Sequence, residues 1–283
     1  MSEALTASLS LMRRLPPQKV EQNLNGLLNL LPEETDELLQ RVDQPLKELV
    51  DTSNGRSFLQ CDYNRDGDSF RSPWSNRYYP ALEDGFLPTE RLRTMEIEAN
   101  ELFDAYRELY YEGGVSSVYL WDLEGQGFAG CFLIKKRVAN SRDVKDGNWD
   151  SIHIVEVKEH GGNRATYKLT TTILLNMGVE KAEIGNATLS GSLTRQTEQS
   201  NKAYNSDTNS HISIIGRMIE DMETDTRSNL YQLYLLRTMD VVNNIRDTRP
   251  VNRASQGHVN NLNQAVLGHG KGRKVDTEAT ESV

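Results

Sequence analysis

Residues Ile212–Arg246, ISIIGRMIEDMETDTRSNLYQLYLLRTMDVVNNIR, decide the fold. Ile212, Ile215, Ile219, Met222, Thr226, Leu230, Leu233, Val241 and Ile245 recur at spacings of mostly three and four, the period of one helix face. From Leu230 to Leu236 the apolar residues spread over most of the circumference, and a helix apolar nearly all round is covered on more than one side. At its full length such a helix spans roughly 50 Å, more than a compact domain needs. It reads as a spine laid across a sheet, with part of its surface left for another chain; a long surface helix of a large monomer is the alternative.

Working outward, the segment before the spine supplies the sheet. Residues 116–122, 127–137, 151–160, 165–175 and 184–193 read as five strands. In the fourth, Tyr167, Leu169, Thr171, Ile173 and Leu175 alternate with Lys168, Thr170 and Thr172. Turn signals at Glu124-Gly125 and Gly161-Gly162-Asn163 make neighbours antiparallel. A five-stranded sheet has two edges, and long open edges are covered or paired with another chain. Upstream, Leu92, Met95, Ala99, Leu102, Tyr106 and Leu109 mark a helix over 88–112, stopped by Gly113-Gly114. Residues 51–84 are rich in Asp, Asn, Ser and Gly and read as a long irregular loop. The first fifty residues hold three short apolar-faced helices punctuated by Pro16-Pro17, Pro32 and Pro45; helices this short must pack on one another. The fold class is therefore α+β, with domains expected over 1–50 (helical stalk), 51–114 (acidic loop and helix), 115–195 (sheet), 196–247 (polar linker and crossing helix) and 248–283 (C-terminal segment).

Acidic residues outnumber basic ones by 41 to 32 in 283 residues, a net charge of −9, which argues against nucleic-acid binding. No apolar run approaches the ~20 residues of a membrane span. Two cysteines, Cys61 and Cys131, are too few for a disulfide framework and favour a reducing compartment, so a cytoplasmic location is expected. Asp62-Tyr63-Asn64-Arg65-Asp66-Gly67 matches the first half of a calcium EF-hand loop. The twelfth position, where a bidentate glutamate belongs, is Pro73, so the motif reads as a turn-rich acidic surface. The five histidines show no metal spacing with the cysteines, and no nucleophile elbow, zinc-protease or dinucleotide motif is present; neither enzyme nor cofactor is expected. Residues 248–275 carry no acidic residue, and Val259, Leu262, Val266 and Leu267 form a short apolar stripe between Gly257 and Gly268. That segment is either a disordered tail or a helix that folds into a partner's groove.

Several stretches carry a resemblance. LMRRLPP (Leu11–Pro17), VDQPLK (Val42–Lys47), CDYNRDGDSFRSPWSN (Cys61–Asn76), EGGVSSVYLWD (Glu112–Asp122), WDSIH (Trp149–His153), GSLTRQ (Gly191–Gln196) and MIEDM (Met218–Met222) resemble the β subunit of the actin-filament capping protein, CapZ. The resemblance runs from about residue 10 to 247. It implies an obligate heterodimer with an α subunit, an N-terminal three-helix stalk, a five-stranded antiparallel sheet crossed by a long C-terminal helix, and a mobile C-terminal tentacle. It further implies calcium-independent binding to the barbed end of the actin filament, blocking subunit addition and loss, in the cytoskeleton. Actin-binding residues expected from it are Arg227, the stripe Leu262, Val266 and Leu267, and the basic Lys271, Arg273 and Lys274. CARMIL-type regulators and myotrophin would meet Arg14, Asp43, Asp62 and Asp66, and acidic phosphoinositides would compete for the basic surface. Asp225 stands where the family often has lysine, and the Asn- and Gly-rich C-terminal segment should hold actin more weakly. A scaffold subunit acting through its acidic stalk, with little direct capping, is the competing reading; a calcium sensor is a third.

Overall fold

A computed structural model describes residues 2–124, 127–139, 146–181, 185–203, 208–230 and 232. The chain divides into two compact units, 1–223 and 224–283. Of the second, the described residues are 224–230, the end of the last helix, and 232.

The N-terminal segment forms three short helices, α1 (Glu3–Met12), α2 (Val20–Leu30) and α3 (Thr35–Arg41). Ser2 caps the first by accepting from the Leu5 amide, and prolines open the 3-10 turns that precede the other two. None is long enough to be stable in isolation, and Leu5, Met12, Val20, Leu24, Leu38 and Val42 bury one another in a small core of their own.

The acidic segment is more ordered than its composition predicts. It contains β1 (Lys47–Val50) paired with β2 (Ser57–Gln60), and a three-stranded ladder of β3 (Arg65–Asp66), β4 (Ser69–Arg71) and β5 (Tyr78–Tyr79). Its polar residues are its core. The Asp51 carboxylate is buried and accepts from the Ser53 amide and hydroxyl, Ser72 Oγ at 2.6 Å and Tyr79 Oη at 2.5 Å. Burial alone would raise its pKa; the converging hydroxyl donors outweigh that and hold it below the usual carboxylate range.

Helix α4 (Glu90–Tyr110) ends before Gly113, whose φ of +71° is the left-handed stop that glycine supplies. The sheet follows: β6 (Val115–Asp122), β7 (Gly127–Ala139), β8 (Asp146–His160), β9 (Arg164–Lys181) and β10 (Gly185–Ala203), all antiparallel and in the order β10-β9-β8-β7-β6. Five strands were expected. The last runs on to Ala203, so residues 196–203, expected as linker, belong to the sheet. Crossing helix α5 is described over Thr208–Leu230. The expected belt of apolar residues beyond Leu230, including Leu233, Leu235 and Leu236, lies outside the described residues.

Strand alternation sends Val118, Leu120, Phe132, Val155, Tyr167 and Leu169 to one face, where they meet Leu92, Met95, Ala99 and Phe103 of α4 and Ile212, Ile215, Met218, Ile219 and Met222 of α5. Tyr119, Cys131 and Leu133 point the other way, onto Leu46 and Leu59.

Candidate functional site

The two sheet edges differ. At β6, α4 supplies side chains to the outward backbone groups. Asn100 Nδ2 donates to the Val118 carbonyl at 2.9 Å, and the Val118 amide donates to Asn100 Oδ1 at 2.9 Å. The Leu120 amide donates to Glu96 Oε2 at 2.8 Å. Glu96 is buried and held by both nitrogens of Arg71 at 2.7 Å, a bidentate pair. Strand β6 is thereby blunted in the way an edge must be. At the opposite side β10, nineteen residues long, pairs with β9 along one flank.

Helix α5 is anchored by one buried carboxylate. Glu223 Oε1 accepts from Ser151 Oγ at 2.5 Å and lies 3.1 Å from His153 Nε2; Oε2 accepts from Tyr111 Oη at 2.6 Å. Burial works to raise the Glu223 pKa, but His153 and the two hydroxyls prevail and lower it. His153 is therefore a core residue. Glu223 was not singled out from sequence; its signal was its place four residues after Ile219 on the apolar face. Beneath the other face, Lys135 Nζ pairs with Asp150 at 2.8 Å, and Asp150 also accepts from the Leu46 amide at 2.9 Å. Burial raises the Asp150 pKa, with Lys135 pulling against it.

Between α4 and α5 runs a groove lined by Leu102, Phe103, Tyr106, Ile212, Gly216 and Ile219. Beside it α4 leaves Leu102 53% and Leu109 80% exposed. Apolar side chains this exposed, on one helix next to an apolar groove, form a surface suited to a protein partner.

The expected regulator residues fall in two places. Arg14 is exposed in the turn after α1. Asp43 is half-buried beyond α3, in a cleft with Arg13, Pro16, Pro17, Leu174 and Ser192. Burial raises its pKa and Arg13 pulls it back. The floor of that cleft depends on Gly191, whose missing side chain lets the Ser192 amide donate to the Arg13 carbonyl at 2.9 Å. Asp62 is exposed in the 3-10 turn after Cys61, and Asp66, on β3, accepts from the Phe86 amide at 3.1 Å. Neither Asp62 nor Asp66 lines the Asp43 cleft. Asn64, the third residue of the calcium-like hexapeptide, is turned inward: Nδ2 donates to the Arg71 carbonyl at 2.8 Å and Oδ1 accepts from the Cys61 amide at 2.9 Å. Its oxygen already serves the backbone. Among the described residues no three His, Cys, Asp or Glu side chains are grouped to hold a metal ion. Arg227 lies in the last turn of α5. Leu262, Val266, Leu267, Lys271, Arg273 and Lys274 lie outside the described residues.

Two helices laid over one face of a five-stranded antiparallel sheet, with one edge sealed and an exposed apolar helix flank, define a fold that offers a surface suited to a protein partner. A solved structure described as homodimeric actin capping protein alpha subunit from Plasmodium berghei has the same fold, with a TM-score of 0.52 at 17% identity, covering 88% of this chain and 98% of that one. Residues 5–242 match the family described as F-actin capping protein, beta subunit. Relatives named F-actin-capping protein subunit beta are 54% identical over 251 residues in Drosophila melanogaster (88% of this chain, 90% of the relative) and 48% identical over 270 residues in Caenorhabditis elegans (95% and 98%). The Dictyostelium discoideum relative is 47% identical over 245 residues (86% and 89%). The chain belongs to the F-actin capping protein beta subunit family.

Proposed function

We propose that this chain is the β subunit of a heterodimeric capping protein that binds the barbed end of the actin filament and blocks subunit addition and loss. The observation that carries the reading is the family match across residues 5–242, joined to a fold with one sealed sheet edge and an exposed apolar helix flank. An α subunit is the partner of that surface. The Plasmodium berghei relative of this fold is homodimeric, so two copies of such a fold can pair with each other. Helices α1–α3 serve as the stalk. Arg227, the stripe Leu262, Val266 and Leu267, and the basic Lys271, Arg273 and Lys274 form the actin contact: the charges steer onto acidic actin and the stripe docks as an amphipathic helix. Arg14, Asp43, Asp62 and Asp66 receive CARMIL-type regulators and myotrophin, whose basic groups pair with the carboxylates. Acidic phosphoinositides compete for the basic residues, and the complex works in the cytoplasm on the cytoskeleton.

The test is co-expression with an α subunit followed by seeded actin elongation. The full-length complex should stop barbed-end growth at substoichiometric amounts relative to actin. Truncation after Thr248 and, separately, Arg227→Glu should each weaken capping. Growth unaffected by the full-length complex would overturn the capping reading. Full capping by the truncated complex would move the actin contact away from the C-terminal segment, as the scaffold alternative requires.

A further inference from the structure

The chain has two cysteines, Cys61 and Cys131, and the fold sets them side by side although they are far apart in sequence. Cys131 is fully buried at the middle of β7, opposite Tyr119 on β6 and Ile154 on β8. Cys61 is half-buried where β2 gives way to the 3-10 turn Asp62–Asn64. Both are free thiols, and Cys61 packs against the buried cluster that holds Cys131. They share the small cluster of Leu46, Leu59 and Leu133 beneath the sheet.

The Cys61 side chain is held in place. Its Sγ accepts from the Asn64 backbone amide while the Asn64 side chain accepts from the Cys61 amide, a reciprocal cap. Next to it Tyr63 stacks on Trp121 at 4.5 Å between ring centroids, fixing the turn against β6. A half-buried thiol at the rim of a buried cluster that holds a second thiol is the arrangement of a reactive cysteine and its resolving partner.

We propose that Cys61 and Cys131 form a peroxide-responsive thiol pair that closes to a disulfide, fastening the acidic turn at Asp62 to the centre of the sheet. In the first step the Cys61 thiolate attacks a hydroperoxide oxygen, the O–O bond breaks, and water or an alcohol leaves once protonated. Cys61 is then a sulfenic acid. In the second step the Cys131 sulfur attacks the Cys61 sulfur, its proton passes to the departing hydroxide, and a second water leaves as the S–S bond forms. Two electrons pass from the two thiols to the peroxide. Cys61 is reached from solvent and Cys131 is fully buried, so Cys61 meets the peroxide first and Cys131 resolves. The pair stands apart from actin capping, and its chemistry is read without filaments.

The full-length protein would be treated with hydrogen peroxide under native conditions, blocked with an alkylating reagent, and digested without reduction. A cross-linked peptide joining Cys61 to Cys131, lost on reduction, is the expected product. In Cys131→Val, an apolar replacement for a buried site, Cys61 should be trapped by a sulfenic-acid-specific dione several-fold more than in the unsubstituted protein. Far-UV circular dichroism of the variant guards against misfolding. If the unsubstituted protein gives no such cross-link, and its Cys61 goes on to the sulfinic acid as fast as in Cys131→Val, the pair is not a redox couple.

Discussion

Asn100 answers two backbone groups of an edge strand with one side chain. Replacing it by alanine leaves the Val118 amide and carbonyl buried without partners, at about 1–3 kcal/mol for each such group. Asn100→Ala should therefore lower the unfolding free energy by roughly 2–6 kcal/mol, read from the urea midpoint. His211 makes a prediction of a different kind. It is buried, 2.8 Å from Tyr167 Oη, with Glu159 3.7 Å away and Arg91 paired to that glutamate. Burial lowers its pKa from 6.5; Glu159 opposes the shift and Arg91 adds to it. The folded chain thus refuses a proton that the unfolded chain takes up near pH 6.5, and stability falls as pH drops through that value. The urea midpoint should be lower at about pH 5.5 than at about pH 7.5, and His211→Gln should shrink the difference. Glu223 and Asp51, with lowered carboxyl pKa values, add their own loss only as pH falls below their unfolded values of 4.5 and 3.8.

At the scale of elements, the turn after α1 is docked on β10 by a close backbone approach. Gly191 has φ of +149°, and a Cβ there would stand 2.7 Å from the Arg13 carbonyl oxygen. Gly191→Ala should cost about 1–3 kcal/mol through strain and through the loss of the Ser192–Arg13 hydrogen bond, visible as a lower melting temperature. The same element scale separates what the sequence made legible from what it hid. Periodicity located α4 and five strands, because burial of one face leaves a repeat that a reader can count. The segment over 51–84 was hidden: Asp51, Asn64 and Arg71 are polar, so nothing local marks them as interior. They are interior because hydroxyls, carbonyls and Glu96 reach them from residues up to 28 positions away. The Asp62–Gly67 hexapeptide shows the converse, a legible pattern whose third residue is spent on the backbone.

For the whole molecule, the exposed flank of α4 is the consequence that matters. Leu109 is 80% exposed and contributes little to the chain's own core, so Leu109→Asp should leave the fold intact. If the second subunit covers that flank, the substitution should weaken the complex by about 1–2 kcal/mol, roughly tenfold in Kd, measured by analytical ultracentrifugation. An unchanged Kd would place the contact elsewhere, with the β10 edge the remaining candidate. The candidate site residues were legible only in part. Asp62 and Asp66 share one loop as their spacing implies, while Asp43 sits in a separate cleft with Arg13.

By itself the sequence determined the strands and the helix that follows them, since each follows from the periodic placement of apolar residues along a local segment. It also determined the family, through long motifs specific in composition. Tertiary structure alone decided which sheet edge is sealed, where Glu223 anchors α5, and that the two cysteines share one cluster. Those facts depend on side chains brought together from distant parts of the chain, and no local pattern encodes a distance between residues that only folding makes neighbours.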